Sequence, residues 1–199
     1  LILWLLVGAL GLTAVATSWI PPDPRAAKAR PKGRQTFRLV TNLMAQPTFM
    51  IFLIGIGLIQ GSHAVFFGFA TLHWRSAGFS DVLIGLLWAE GVVVEIVLFW
   101  LGNRLVRRFG AANMLALGAA AGVIRWGAMG GSEALWRALV TQALHAFTFG
   151  AAHLGAMHFI ARAAPPELSA TAQTVYSAVG MGIVFGAAMW AAGGLYAAF

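Results

Sequence analysis

Long apolar runs alternate with short polar segments along this 199-residue chain. A transmembrane helix needs about 20 predominantly apolar residues, and each run is close to that length. The runs are continuous rather than alternating, so the pattern predicts an all-α, polytopic membrane helix bundle. We expect about six transmembrane helices, at residues 1–20, 47–72, 82–101, 112–129, 135–160 and 170–197.

The polar segments between the runs are mostly basic. Residues 21–46 open with three prolines in four positions and carry one acid, Asp23, against Arg25, Lys28, Arg30, Lys32, Arg34 and Arg38. Prolines and like charges favour irregular backbone in the early part of this segment. The positive-inside rule predicts a cytoplasmic linker here, with anionic-lipid binding as an alternative, and a tight cytoplasmic loop at residues 102–111.

Composition agrees with a membrane protein. Hydrophobic residues make up 60% of the chain and charged residues 10%, whereas soluble domains are about a quarter charged. The formal charge of +7 lies between the apolar runs, where membrane orientation explains it, so we expect no nucleic-acid partner. The chain has no cysteine and no zinc, nucleophile-elbow or phosphate-loop motif, so we expect neither an enzyme nor a metal or cofactor site.

Two acids and one arginine interrupt the third and fourth apolar runs. Glu90 and Glu95 lie in the third run, and Arg125 lies in the fourth. An ionisable group in hydrocarbon costs about 2.5–3.5 kcal/mol on insertion scales, so each is a candidate functional residue. Burial favours a neutral carboxylic acid and a nearby cation favours the carboxylate, so an acid whose cation partner moves can take up and release a proton. A structural ion pair that locks two helices remains the alternative.

Depth in the membrane groups these residues with two histidines. A helix rises about 1.5 Å per residue, which places His63, Glu90 and His145 about 12–14 Å from the predicted outer ends. Arg125 is somewhat shallower, so depth favours Glu90 as its partner. Glu90 and Glu95 lie about 140° apart around the helix and cannot both face one cavity. The histidines can shuttle a proton or serve as polar packing residues.

Two ten-residue segments are similar to each other. QGSHAVFFGF at residues 60–69 and QALHAFTFGA at residues 142–151 share Gln, His, Ala, Phe and Gly at matching positions. Inverted three-helix repeats are common in transporters. Such a repeat should place the two histidines at mirrored depths, whereas both are predicted in the outer half.

The basic segment from Asn103 to Arg108 resembles the inner-loop signature of the major facilitator superfamily of secondary transporters. It departs from the signature at Asn103, where Asp is usual, and at Val106 and Phe99, where Gly is usual. These departures weaken the segment as a gating element. Several stretches also resemble the phenylpropionate permease group, among them LLWAEGVVVEIVLFWLGNRLVRRF, GVIRWGAMG and LHAFTFGAAHLGAMHFIA.

The resemblance implies a twelve-helix protein of two halves that works by alternating access, usually with proton symport. This chain would contain helices six to eleven, as a fragment of a longer protein. Residues 1–20 would be the last helix of the N-terminal half, residues 21–46 the cytoplasmic linker, and residues 47–199 the C-terminal bundle without its final helix. The implied substrate is a small aromatic carboxylate such as phenylpropionate. The implied setting is the cell inner membrane, with a monomeric complete protein.

The resemblance also ranks the candidate residues. Glu95, Arg125, His63 and His145 fall on matching positions and Glu90 does not, so the predicted proton-coupling pair is Glu95 with Arg125, and Glu90 is the alternative. The expected cavity residues are His63, His145, Gln142, Phe67 and Tyr176, and the expected inner-loop gate residues are Asn103, Arg104, Arg107 and Arg108. The alternatives for the function are a sugar or nucleoside symporter on the same fold and a non-transporting membrane scaffold.

Overall fold

The computed structural model describes residues 2–19, 33–131 and 134–198, and these residues form helices and turns without a strand. The predicted all-α class is therefore confirmed. The first four helices are α1 (Ile2–Ser18), α2 (Gly33–Met44), α3 (Pro47–Ser76) and α4 (Asp81–Met129).

Two further membrane-length units follow, and each contains a π-helical segment. The fifth span consists of α5 (Leu135–Ala143), a π segment (Ala146–Ala151) and α6 (Ala152–Ala163). The sixth span consists of α7 (Ser169–Ser177), a second π segment (Ala178–Val184) and α8 (Phe185–Ala198). A short 3₁₀ turn, Pro166–Leu168, connects them.

Local sequence signals determine how α3 and α4 are joined. Pro47 lies in the first turn of α3, where its missing N–H breaks no helical hydrogen bond. The hydroxyl of Ser80 accepts a hydrogen bond from the Leu83 N–H at 3.3 Å and caps α4. Asp81 follows in the first turn of α4 and pairs with Arg75 at 2.7 Å, so the end of α3 is tied to the beginning of α4.

Helix α4 is a hairpin of two antiparallel arms. Gly110 has φ 78° and ψ 162°, in contrast to the helical backbone on either side. Gly91 lies against Gln142, and Arg125 hydrogen-bonds to the same Gln142 side chain. In a straight helix, positions 91 and 125 would be about 51 Å apart. The chain therefore reverses at Gly110, and we call residues 81–109 the first arm and residues 111–129 the second arm.

The predicted loop at residues 102–111 contains the chain reversal, but it is much shorter than expected, because the first arm stays helical up to Phe109. The expected gate residues Asn103, Arg104, Arg107 and Arg108 therefore lie on the last turns of a helix and are exposed there. Arginine and leucine are good helix formers, and no glycine or proline interrupts residues 103–109, so the helix continues until Gly110. We call this end of the bundle, which also carries Arg162, the basic end.

Three helices among the described residues are long and apolar enough, by length and composition, to cross a membrane: Pro47–Ser76, Asp81–Met129 and Ser169–Tyr196. Because Asp81–Met129 is a hairpin, it supplies two crossings. The fifth span is less apolar, since it carries His145, His153 and His158.

The fifth span packs against both arms of α4, and α3 packs against the sixth span. Small residues allow this close approach. A Cβ atom at Gly118 would lie 2.9 Å from that of Ala152, and one at Gly155 would lie 2.9 Å from the Ala111 carbonyl oxygen. The central helices can therefore approach nearly backbone to backbone, which brings their polar side chains within hydrogen-bond distance.

Helices α1 and α2 lie outside this core. Every α1 side chain whose burial is described is exposed. Helix α2 falls within the predicted linker, and it is an amphipathic helix whose Leu43 is buried beside Phe49 while Phe37 is exposed. The part of the linker expected to be irregular, with Arg25, Lys28, Arg30 and Lys32, lies in residues 20–32, outside the described residues.

Candidate functional site

Arg125 is wholly buried at the centre of the bundle. Its Nη1 atom donates to Nδ1 of His145 and to Oγ1 of Thr148, both at 3.1 Å, and its Nη2 atom donates to Oε1 of Gln142 at 3.1 Å. Its Nε atom has no partner among the described residues. All three acceptors are neutral, so within the described chain the positive charge of Arg125 has no carboxylate in direct contact.

Aromatic rings complete the environment of this guanidinium. The Arg125 Cζ atom lies 4.4 Å from the centroid of Phe66 and 4.6 Å from that of Trp126. Cation–π attraction is strongest for a desolvated cation, at about 2 kcal/mol or more. The rings therefore hold the guanidinium in place and offset part of the cost of burying its charge.

His145 lies between Arg125 and Glu95. A guanidinium only donates hydrogen bonds, so Nδ1 of His145 must be an acceptor and the proton of the neutral ring must be on Nε2. That Nε2 atom lies 3.8 Å from Oε2 of Glu95. The distance is too long for a direct hydrogen bond and suits an electrostatic contact or a bridging water. The imidazole of His145 thus lies between Arg125 and Glu95 and contacts both side chains.

His63 extends the network to helix α3. Its Nδ1 atom is 2.8 Å from the carbonyl oxygen of Ile59, so Nδ1 carries the proton. Its Nε2 atom then accepts from the Thr148 hydroxyl at 3.0 Å. Because the same hydroxyl oxygen accepts from Arg125, Thr148 connects α3, the second arm of α4 and the fifth span.

The backbone of the fifth span explains this convergence. Thr148 lies within the π segment Ala146–Ala151, and π segments are frequent at functional sites. A Cβ atom at Gly91 would lie 3.3 Å from Nε2 of Gln142, so the absence of a side chain at Gly91 lets Gln142 donate to the Leu87 carbonyl at 2.8 Å. Gln142 is thereby fixed in the orientation that presents its oxygen to Arg125.

The two candidate acids have different surroundings. Glu95 approaches His145, and its Cγ atom would lie 3.6 Å from a Cβ atom at Gly150. Glu90 has one buried carboxylate oxygen without a partner in the described residues. Depth along the helices favoured Glu90 as the partner of Arg125. The acid that reaches the arginine network is instead Glu95. This network is the hydrogen-bonded set of Arg125, His145, Thr148, Gln142 and His63. Neither acid contacts Arg125 directly.

The other predicted cavity residues fall into two groups. His63, His145 and Gln142 belong to the arginine network described above. Tyr176 is buried deeper towards the basic end, where its hydroxyl lies 3.2 Å from Nε2 of Gln60 and 3.2 Å from Nδ1 of His153. Phe67 is 41% exposed and stacks on Trp88 at 5.9 Å. The gate residues on the basic end form no ion pair with a described acid.

Thr148, Gln60 and Phe149 are site residues that the sequence interpretation passed over. The repeated segments contained a signal for two of these residues, since Gln60 and Phe149 lie at matching positions and Thr148 does not. The ring centroids of His63 and His145 lie 5.6 Å apart, and those of Phe52 and Phe159, nearer the basic end, lie 4.3 Å apart. Between these two contacts the residue numbers rise along α3 and fall along the fifth span, so the two helices are antiparallel. In an inverted repeat, two matching positions that lie beside the symmetry axis have the same depth. Because His63 and His145 are neighbours, their equal predicted depth is compatible with such a repeat.

No group of three or more histidine, aspartate or glutamate side chains suited to a metal ion occurs in the described residues. The polar cluster contains one fixed cation, Arg125, and one acid, Glu95, together with neutral donors and acceptors. Such a set can bind an anion and exchange a proton.

Comparisons with known proteins identify the family of this chain. The model of the MFS_1 like family matches residues 1–199. A "Probable 3-phenylpropionic acid transporter" of Escherichia coli (strain K12) is 46% identical over 131 residues, which are 66% of this chain and 34% of that protein. A "Maltose permease" of Geobacillus stearothermophilus is 29% identical over 86% of this chain and 43% of its own length.

An "Uncharacterized transporter YwbF" of Bacillus subtilis (strain 168) is 25% identical over 87% of this chain and 42% of its own length. The matched regions thus cover between 34% and 43% of the curated relatives. No solved structure matches the chain significantly. Because the family model matches the whole chain, the chain belongs to the MFS_1 like family of the major facilitator superfamily, and it resembles the phenylpropionate permease group.

Proposed function

We propose that this chain is part of a proton-coupled symporter for a small aromatic carboxylate, working by alternating access in the cell inner membrane. The observation that carries the proposal is the sequence of contacts from Arg125 through His145 to Glu95. A buried cation, a neutral imidazole and an acid in line are the groups that anion binding and proton exchange require.

His145 has a single N–H to present to the cavity. Its Nδ1 is occupied by Arg125, so the donor is Nε2, which faces Glu95 at 3.8 Å. A substrate carboxylate and the carboxylate of Glu95 compete for this donor and for the positive charge behind it. Protonation of Glu95 removes the competitor, so proton binding and anion binding favour each other, which is the thermodynamic basis of symport.

The substrate class rests on the relative in Escherichia coli, whose name specifies 3-phenylpropionic acid, and on the aromatic rings beside the network. Phe66 and Trp126 pack on Arg125, and the exposed ring of Phe67 lies 6.0 Å from His145. Since Arg125 is wholly buried and its Nη atoms are hydrogen-bonded, we propose that it attracts the substrate through His145 rather than by direct contact.

A sugar symporter is the second candidate. The maltose permease relative covers more of this chain than the phenylpropionic acid transporter does, 86% against 66%. Amide groups such as those of Gln60 and Gln142 are suited to hydroxyl-rich ligands. The presence of a wholly buried, uncompensated arginine favours the anionic substrate over the neutral one.

The test uses lightly buffered membrane vesicles that contain the complete natural protein. Addition of 3-phenylpropionate should make the external medium alkaline as protons enter with the acid, and maltose should not. Uptake of 3-phenylpropionate without a pH change would contradict proton coupling. Alkalinisation with maltose alone would support the second candidate, a sugar symporter.

A further inference from the structure

Phe149, which lies outside the arginine network, is at the centre of a row of three rings. His145, Phe149 and His153 follow one another at intervals of four residues, and so lie on one face of the fifth span. The rings of His145 and Phe149 are 5.5 Å apart at 18°, and those of Phe149 and His153 are 6.0 Å apart at 2°. Phe149 itself is half-buried, so part of its ring faces open space.

Phenylalanines from two other helices border this row. Phe67 of α3 lies 6.0 Å from His145, and Phe99 of the first arm lies 6.3 Å from His153. Their side chains are 41% and 38% exposed, so both present ring surface beside the row. We call Phe67, Phe99, His145, Phe149 and His153 the aromatic strip.

The aromatic strip borders an ionisable side chain within the membrane-length helices. Glu95 lies beside it, since its Cγ atom approaches Gly150 and its carboxylate approaches His145. Ionisable side chains within membrane spans face the bundle interior or a water-filled space, because exposure to lipid is costly. Aromatic surface next to such groups is suited to a ligand with both an apolar and a polar part.

The two ends of the strip offer different polar groups. At one end, Nε2 of His145 is backed by the charge of Arg125. At the other end, Nδ1 of His153 lies 3.2 Å from the Tyr176 hydroxyl. The Nε2 atom of His153 makes no hydrogen bond within the described chain. The two histidines are eight residues apart, or about 12 Å along the helix.

We infer that the aromatic strip is a ring-binding site for an aromatic acid, with the carboxylate towards His145, the ring on Phe149 and a hydroxyl on the far side of the ring towards His153. This inference rests on the proposed function and narrows its substrate class. A phenyl ring with a three-carbon acid chain and a para-hydroxyl has polar groups at both ends, as this site does. Phe149 is the residue that distinguishes a planar ring from a saturated one.

The experiment measures equilibrium binding, which requires no transport. Purified complete protein in detergent is titrated calorimetrically with 3-phenylpropionate, 3-(4-hydroxyphenyl)propionate and 3-cyclohexylpropionate. The wild type should bind the phenyl acid more tightly than the cyclohexyl acid, by about 2- to 10-fold, the range for an aromatic pair. The hydroxylated acid should bind more tightly still.

Variants assign the effect to individual residues. Phe149→Leu keeps apolar volume without a ring and should weaken binding of the two aromatic acids by about 2- to 10-fold while leaving the cyclohexyl acid unchanged. Phe147→Leu is the matched control, because that ring is also partly exposed, at 37%, but lies outside the strip. His153→Phe keeps the ring and should abolish the preference for the hydroxylated acid.

Equal binding of the phenyl and cyclohexyl acids by the wild type would overturn the inference without any variant. Equal effects of Phe149→Leu and Phe147→Leu would also overturn it. If no aromatic acid binds the wild type, both the strip and the proposed substrate are wrong. Binding in the expected pattern, without proton uptake in vesicles, would support the strip and overturn only the proton coupling.

Discussion

The guanidinium of Arg125 donates to Nδ1 of His145 at 3.1 Å, and this single contact determines which nitrogen of the imidazole carries the proton. The donor of the neutral ring is thereby directed at Glu95, 3.8 Å away. A positive charge that is wholly buried thus acts on Glu95 through a neutral side chain.

Replacing Glu95 by glutamine preserves its shape and removes its ability to bind a proton. We expect Glu95→Gln to lose uphill accumulation of substrate in vesicles while retaining exchange of labelled for unlabelled substrate, because exchange needs no net proton movement. Glu90→Gln in the same assay distinguishes the two acids. Loss of accumulation in Glu90→Gln but not in Glu95→Gln would assign the proton to Glu90.

Thr148→Val should destabilise the protein. The hydroxyl of Thr148 is buried between His63 and Arg125, and its removal leaves Nε2 of His63 without a donor. An unsatisfied buried polar group costs about 1–3 kcal/mol, which should appear as a lower free energy of unfolding in a denaturant titration. Thr174→Val is the control, since the Thr174 hydroxyl is exposed and bonds only its own helix, at 3.0 Å. Equal stability of the two variants would contradict the network.

Gly118→Ala should separate the second arm of α4 from the fifth span. The added Cβ atom would lie 2.9 Å from that of Ala152 and 3.1 Å from the Phe147 carbonyl oxygen. Overpacking of this kind costs about 1–3 kcal/mol, measured as a lower melting temperature in detergent. At Gly127 a new Cβ atom meets nothing within 4 Å, so Gly127→Ala should leave stability unchanged or raise it slightly. A stability gain in Gly118→Ala would refute the close contact.

Gly110→Ala should weaken the hairpin turn. The backbone of Gly110, at φ 78° and ψ 162°, lies in a region that is essentially restricted to glycine. We expect a loss of about 1–3 kcal/mol in the free energy of unfolding. Gly85→Ala, in the first arm of α4 with nothing within 4 Å, provides the control for an added methyl group. If both variants behave alike, the reversal of α4 does not depend on this conformation.

The fold class, the approximate positions of the spans and the polar residues within them could be predicted from the residue pattern alone. Each of these depends on local properties. A run of apolar residues must satisfy its own backbone hydrogen bonds in lipid, so it forms a helix wherever it occurs. The resemblance to a transporter family then identified Glu95, Arg125, His63 and His145 as a group, and the structure places His145 within contact of the other three.

The contacts that connect these four residues became clear only from the packing of the helices. The hydropathy pattern could not locate the turn at Gly110 within the predicted loop, because the residue at which a helix ends depends on backbone conformation and not on charge. Depth alone preferred Glu90, because depth carries no information on the rotation of a helix about its axis. The contacts of Glu95 with His145, and of Thr148 with both His63 and Arg125, depend on rotation, register and the close approach that Gly91 and Gly118 allow, and these arise only when the helices pack.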